Sequence, residues 1–322
     1  MTRNTRLGAI ALGLVSFAVP AYAQEYAAPI PFRFLSDPAY LPLQGQVFGS
    51  TSYDISQTNG DEYDSTGTKT ATRKGWRDEI TQELEYGVTN DFTVRLGDSY
   101  VPFDKSKNEP VGGGATDRDK SGFTDPSVGV TWRVIDQANH GPVNVDLLAD
   151  YKANFIDSRT DNVGQGGQSG EIGAAVSKVM PGFTIYGKAV ADWYGDQSEF
   201  NPVNTNFTRT QSYWDYLVDL DTQTRLNDLF SINAGIGYVF ANSARVANIT
   251  TSVDHIAQPG DGLKLNAALN YQVIPNALVA SLTYDYTRDN TTKELYTAPA
   301  ADTALRDHDD NTFGVKLAYT TP

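Results

Sequence analysis

From Trp76 to Val88 the apolar side chains Trp76, Ile80, Leu84, Tyr86 and Val88 fall on even positions, and Arg77, Glu79, Thr81, Glu83 and Glu85 fill the odd ones. A period of two over a dozen residues predicts a strand with two unlike faces. Thr89-Asn90-Asp91 supplies a tight polar turn, and Phe92, Val94 and Leu96 then alternate with Thr93 and Arg95. In a soluble sandwich the apolar face would cover a core. In an outer-membrane barrel it meets lipid, and the charged face lines the lumen.

The same texture recurs in twelve strand-like segments: 43–55, 75–88, 91–103, 123–135, 142–155, 169–179, 182–194, 211–225, 229–241, 262–273, 277–288 and 311–320. Trp214, Tyr216, Val218 and Leu220 oppose Asp215, Asp219 and Asp221, and Phe313, Val315, Leu317 and Tyr319 oppose Gly314 and Lys316. Short connections fall at Thr89–Asn90, Asp136–Gly141, Met180–Pro181, Leu226–Asp228 and Ile274–Asn276. Long polar ones fall at about 56–74, 104–122, 156–168, 195–210, 242–261 and 289–310. Strict alternation of long and short belongs to a barrel of even strand number, with short periplasmic turns and long outer loops. The expected fold is therefore all-β, a 12-stranded antiparallel transmembrane β-barrel of the outer-membrane type, over residues 42–322. One strand slips phase. Phe92, Val94 and Leu96 lead on to Asp98, whereas Val101 and Phe103 are apolar on odd positions. A bulge near Gly97-Asp98 would absorb the slip.

Residues 1–23 carry Arg3 and Arg6, an apolar run from Leu7 to Val19, and Ala21-Tyr22-Ala23, the layout of a signal peptide cut near Ala23. The expected location is thus the outer membrane of a Gram-negative bacterium. Residues 24–41, with Pro29, Pro31 and Pro38, form no regular element. They read as a periplasmic tail or a short plug folded into the lumen.

The chain has 322 residues, no cysteine and a net charge of -14. The missing cysteines exclude disulfides and thiolate chemistry. The acidic balance argues against nucleic acid. Mean hydropathy is -0.39. Beyond the N-terminus no apolar run reaches the ~18 residues of a membrane helix. A barrel survives this test, because its two faces cancel in any average.

A Lys or Arg facing lipid at midplane costs roughly 2–4 kcal/mol, which turns the charged face inward. The lumen-lining candidates are Arg77, Glu79, Glu83, Glu85, Arg95, Arg133, Asp146, Asp150, Lys152, Lys188, Asp192, Asp215, Asp219, Asp221, Lys264, Asp285 and Lys316, with Arg225 a further base. They read either as a polar conduit that selects solutes or as a salt-bridge lattice bracing the wall. Cations do not predominate among them, which argues against anionic sugars or phosphate as the cargo. Asp117, Asp119 and Ser121 have the opening spacing of a calcium loop, but Val128 stands where the closing Glu belongs. A solvated turn explains them better, so no metal is expected. Of the three histidines, His140 lies in a short turn and His255 and His308 in long loops, so no mid-strand base serves a barrel hydrolase. No cofactor motif is present.

Residues 121–135, SGFTDPSVGVTWRVI, resemble the strand-opening Gly-Asp-Pro motif of the outer-membrane proteins grouped as "meta-pathway of phenol degradation", with Gly122, Asp125 and Pro126 matching. The hairpin 83–97 is similar to that family's first periplasmic turn. The C-terminus departs from the usual terminal aromatic, since Thr320, Thr321 and Pro322 follow Tyr319. The resemblance implies passive uptake of small, often aromatic or hydrophobic compounds, and transfers no catalytic residue. The expected function is an outer-membrane channel and not an enzyme. Expected partners are outer-membrane lipid and lipopolysaccharide, a small-molecule solute and the barrel-assembly machinery. The alternatives are an adhesive or structural surface barrel using acidic outer loops, and a barrel phospholipase or rim protease.

Overall fold

The structure, a computed structural model, describes residues 34–64, 66–139, 141–156, 163, 166–201, 206–248, 253–296 and 304–321. The segment 1–23 lies outside these, as does 24–33. The ladder runs through β1 (Val47–Tyr63), β2 (Lys69–Gly87), β3 (Phe92–Pro110), β4 (Thr116–Phe123), β5 (Ser127–Ile135), β6 (Asn144–Lys152), β7 (Ser169–Met180), β8 (Phe183–Tyr194) and β9 (Gln197–Asn201). It continues through β10 (Asn206–Thr210), β11 (Tyr213–Arg225), β12 (Phe230–Phe240), β13 (Ala244–Asn248), β14 (Val253–Gln258), β15 (Gly262–Ile274), β16 (Leu278–Tyr296) and β17 (Ala304–Thr320).

Five of the wall strands are interrupted once, as β4/β5, β8/β9, β10/β11, β12/β13 and β14/β15. The pieces thus build twelve antiparallel wall strands. β1 closes the wall, pairing with β2 on one edge and with β17 on the other, from Phe48 opposite Thr320 to Asp61 opposite Asp307. Closure of the ring from β1 round to β17 leaves the bilayer-crossing part of the wall without a free edge, the one condition under which strands can cross a bilayer. The apolar positions of the alternation face outward and are exposed, among them Leu96 at 57%, Phe313 at 60% and Leu282 at 60%. An outward belt of this kind contradicts a soluble core and matches a lipid face. Tyr284 and Phe313 pair on its outer margin, and Phe230 and Tyr271 on its periplasmic margin.

Three expectations need correction. The bulge sits not at Gly97-Asp98 but at Val101-Pro102, where Tyr100 and Phe103 pair with Ile80 and Asp78. Pro cannot donate to a ladder, so the irregularity settles where no hydrogen bond is lost. As a result Asp98 stays on the outward face opposite Gln82, and Val101 turns inward and is fully buried. Next, most of the long polar connections are not loops. β1, β2, β3, β16 and β17 run to 17–19 residues, and β4, β9, β10, β13 and β14 fill much of the rest. Above the membrane both faces of a strand meet water, so the alternation fades while backbone pairing continues. Finally, the calcium-like stretch is β4 itself, paired with β3. Asp117, Asp119 and Ser121 are strung along a strand and do not wrap a point, and Asp117 bonds Lys105 at 3.2 Å.

The buried centre lies at the periplasmic end of the cylinder. There residues 34–46 turn across the bore in two tight turns, Asp37 N to Phe34 O and Tyr40 N to Asp37 O, both at 2.9 Å. Leu35 packs with Phe48, Val279 and Ala318, and Tyr40 borders that cluster.

Candidate functional site

The lumen is built by parity. Because side chains alternate, the predicted charged residues stand on the face opposite the exposed apolar ones. Their surroundings divide the bore into two zones.

The lower zone is sealed by residues 34–46. The Arg133 guanidinium forks onto Asp146, Nε to Oδ1 at 2.8 Å and Nη2 to Oδ2 at 2.9 Å, and the same Nη2 donates to the Ala39 carbonyl at 2.9 Å. These side chains are only 3% and 6% exposed. Thr184 Oγ1 donates to Asp37 Oδ2 at 2.7 Å, Gln223 Nε2 to Ser36 Oγ at 2.9 Å, and Asn233 Nδ2 to the Ser36 carbonyl at 2.9 Å. The segment is therefore tied to β5, β8, β11 and β12 and packs on β16 and β17. Arg225 lies over the Phe34 ring at 5.5 Å. Gly87 leaves room for this crossing, since a Cβ there would collide with the Leu43 carbonyl. The polar residues beneath bond one another. Asn270 Nδ2 donates to Asn233 Oδ1 at 2.9 Å, Ser281 Oγ to Asn270 Oδ1 at 2.7 Å, and Asn144 Nδ2 to Ser177 Oγ at 3.1 Å. A buried polar network is tolerable only when its groups are satisfied in this way.

The upper zone is wet. Arg95 and Asp150 are ion-paired yet 35% and 20% exposed, and Lys188 stands 4.0 Å from Glu171 and 3.8 Å from Asp219 at 24% exposed. Arg77 bonds Glu79 at 2.9 Å and reaches Asp104 at 3.4 Å. Four inward carboxylates lie directly across from glycines: Asp150 from Gly129, Asp219 from Gly237, Asp221 from Gly235 and Asp54 from Gly314. A Cβ on any of the four glycines would collide with its carboxylate, so each Asp lies flat against the wall. Asn266 Nδ2 adds a bond of 2.9 Å to Asp221. Glu83 takes a weak bond from Ser50 at 3.4 Å. Glu85, Lys152, Asp192, Asp215, Lys264, Asp285 and Lys316 make no side-chain ion pair among the described residues. A cavity of about 310 Å³ opens here beside Glu171, Asp192, Lys152 and Tyr194.

Several lumen residues escaped the sequence argument. Glu171 and Asp54 follow from the parity of Ile172 and Ile55, which would have found them. Tyr194 and Tyr213 point inward with their rings stacked at 4.7 Å; aromatics read as outward by default. The partners Ser36, Asp37 and Ala39 had no periodic signal at all.

At the outer rim His308 and its neighbours are strand residues, not loop residues. His308 Nε2 stands 2.9 Å from Asp289 Oδ2 and 3.7 Å from Asp310 Oδ2. The Asp289 bond raises the His308 pKa above its ordinary value, burial opposes the rise, and the charges of Asp289, Asp310 and Asp309 add to it. His255 belongs to β14, and His140 lies outside the described residues. Among the described residues no three metal-ligating side chains gather.

No family model matches the sequence, and neither does any curated protein. Solved structures do. An outer membrane channel from Pseudomonas putida F1 superposes with a TM-score of 0.60 at 17% identity, over 88% of this chain and 99% of that one. The transport unit of the autotransporter AIDA-I from Escherichia coli gives 0.53 at 11% identity, over 88% and 95%. At these identities the likeness establishes the architecture: this chain has the fold of the outer-membrane β-barrels.

Proposed function

We propose that the protein is a passive outer-membrane channel for small solutes, with aromatic or hydrophobic compounds the leading class. One observation carries this reading. A closed cylinder with an apolar outer belt holds charged side chains that remain water-accessible in its upper bore, whereas charges of the same kind are sealed below. A wall braced only by salt bridges has no need of a hydrated upper chamber. The Pseudomonas putida F1 channel that shares this fold and the resemblance of residues 121–135 to the phenol-degradation barrels support the same direction. On this reading the charged lumen residues tune passage, residues 34–46 restrict the periplasmic exit, and no covalent chemistry takes place.

Liposomes carrying the refolded protein provide the test. Swelling in small neutral and aromatic solutes is expected to exceed that of empty liposomes, and removal of residues 24–46 is expected to accelerate it. Swelling no faster than in empty liposomes, both with and without the segment, would overturn the proposal.

A further inference from the structure

The register of the wall carries information that no single strand shows. Following cross-strand partners from β2 gives Glu85, Arg95, Gly129, Asp150, Glu171, Asp192 and Asp215 as one continuous inward row. Glu85 stands two residues from the periplasmic end of β2, and Asp215 two residues from the outer end of β11. Barrel strands tilt, so a row perpendicular to them climbs. Six steps of about 4.8 Å at a tilt of about 40° rise roughly 18 Å. The row is thus a ramp that descends from the foot of the β10 extension towards the periplasmic end.

Its charge is one-sided. Arg95 is committed to Asp150, and Glu171 shares Lys188 with Asp219. Glu85, Asp192 and Asp215 form no ion pair among the described residues. Among the described residues Asp215 accepts the Asn242 backbone N–H, at 2.8 Å. The row four residues nearer the periplasm along these strands is built differently. Arg133, Asp146, Ala175, Lys188, Asp219, Gly237 and Lys264 alternate in sign. Alternation is what bracing requires; an uncompensated row is not.

A second feature sits at the ramp's upper end. The stacked Tyr194 and Tyr213 lie two residues beyond Asp192 and two before Asp215, on the same inward face. Aromatic rings beside carboxylates are the surroundings in which an organic ammonium is held. The cavity beneath is bounded by Asp192, Glu171 and Tyr194; of the cations on its wall, Arg95 and Lys188 are drawn to carboxylates, and Lys152 has no ion pair among the described residues.

We infer that the acidic ramp makes the channel cation-selective and suits it to small organic ammonium solutes with an apolar body. This rests on the channel reading above. Near-complete exclusion of anions is not required. A carboxylate about 7 Å from a permeant charge in water-like surroundings biases its occupancy roughly threefold.

The reversal potential of the full mature chain in planar bilayers, under a KCl gradient, is the first measurement. A clear preference for K⁺ is expected. In the D192N/D215N variant the permeability ratio is expected to fall by more than about tenfold, since each carboxylate raises K⁺ occupancy and lowers Cl⁻ occupancy by the same factor. The D64N variant, which removes a charge at an exposed turn off the ramp, is expected to keep it. Liposome swelling then compares benzylammonium, benzyl alcohol and benzoate, with benzylammonium expected to enter fastest. A heat-modifiable gel shift checks folding, and E171Q, from the middle of the ramp, is measured beside the double variant. Anion preference, benzoate entering at least as fast as benzylammonium, or a ratio unmoved in both ramp variants would overturn the inference. Conductance without selectivity would sink it alone, whereas no conductance at all would sink the channel reading with it.

Discussion

Arg133 on the barrel wall donates through Nη2 to the carbonyl of Ala39 at 2.9 Å, while the same guanidinium forks onto Asp146. One buried cation therefore joins the wall to the segment that crosses it. Removing one partner of a buried ion pair costs about 3–5 kcal/mol, because the other charge is left unpaired. Arg133→Ala is expected to lower the urea midpoint of the vesicle-inserted protein and to raise single-channel conductance as residues 34–46 loosen. The R133A/D146A double variant is expected to recover part of the stability but not the closed exit. An unchanged conductance in both would show that Arg133 does not hold the segment.

Gly87 tests the same closure from β2, two wall strands away from Arg133. Its N–H donates to Gln46 O at 3.0 Å and its carbonyl accepts from Gly45 N at 2.8 Å. A methyl group there would strike the Leu43 carbonyl. Gly87→Ala is expected to cost about 1–3 kcal/mol by overpacking. Faster protease cleavage within residues 34–46 than in the parent is the readout that separates local displacement from a general loss of stability.

Asp219 lies across Gly237 with Lys188 Nζ 3.8 Å away. Gly237→Ala is expected to lift the carboxylate into the bore and break its contact with Lys188. The resulting narrowing should reduce conductance while the heat-modifiable shift persists. Conductance equal to that of the parent would mean that the glycine is dispensable to the open bore.

His308 gives a pH handle above the membrane, three residues beyond Asn311, which accepts the Tyr284 hydroxyl of the outer aromatic margin. Its pKa is raised in the fold, chiefly by the bond to Asp289. The sign follows from linkage. The contribution is complete below the free-histidine value of about 6.5 and is lost as pH rises through the higher folded value. Carbon-detected NMR titration is expected to find His308 titrating above the ordinary range and to return it towards that range in Asp289→Asn. Identical midpoints in the two proteins would refute the pairing.

The strand count, the closed wall, the sorting of long from short connections and the lipid-facing side were legible in the sequence. They depend on a period-two pattern that any strand between lipid and water must carry. The same parity, with the cost of a cation in hydrocarbon, assigned the charged positions to the other face. The outward strand extensions were not legible, since strands bathed in water on both faces lose the alternation. The bulge was misplaced because the phase slip fixes only an interval. Pro102, with no N–H to contribute, decided where within it the ladder gave way.

What the linear order of residues determined, then, is a cylinder and the side of it that meets lipid. Which inward groups are sealed and which stay wet was decided only by the tertiary structure. Arg133 and Arg95 look alike along the chain, yet one is buried under Ala39 and the other stands in the open bore. The register of neighbouring strands, a relation between distant residues, likewise decided that Glu85 and Asp215 belong to one climbing row. Local periodicity reports the face of each strand. Only closure of the wall and the crossing of residues 34–46 set the height and company of each side chain.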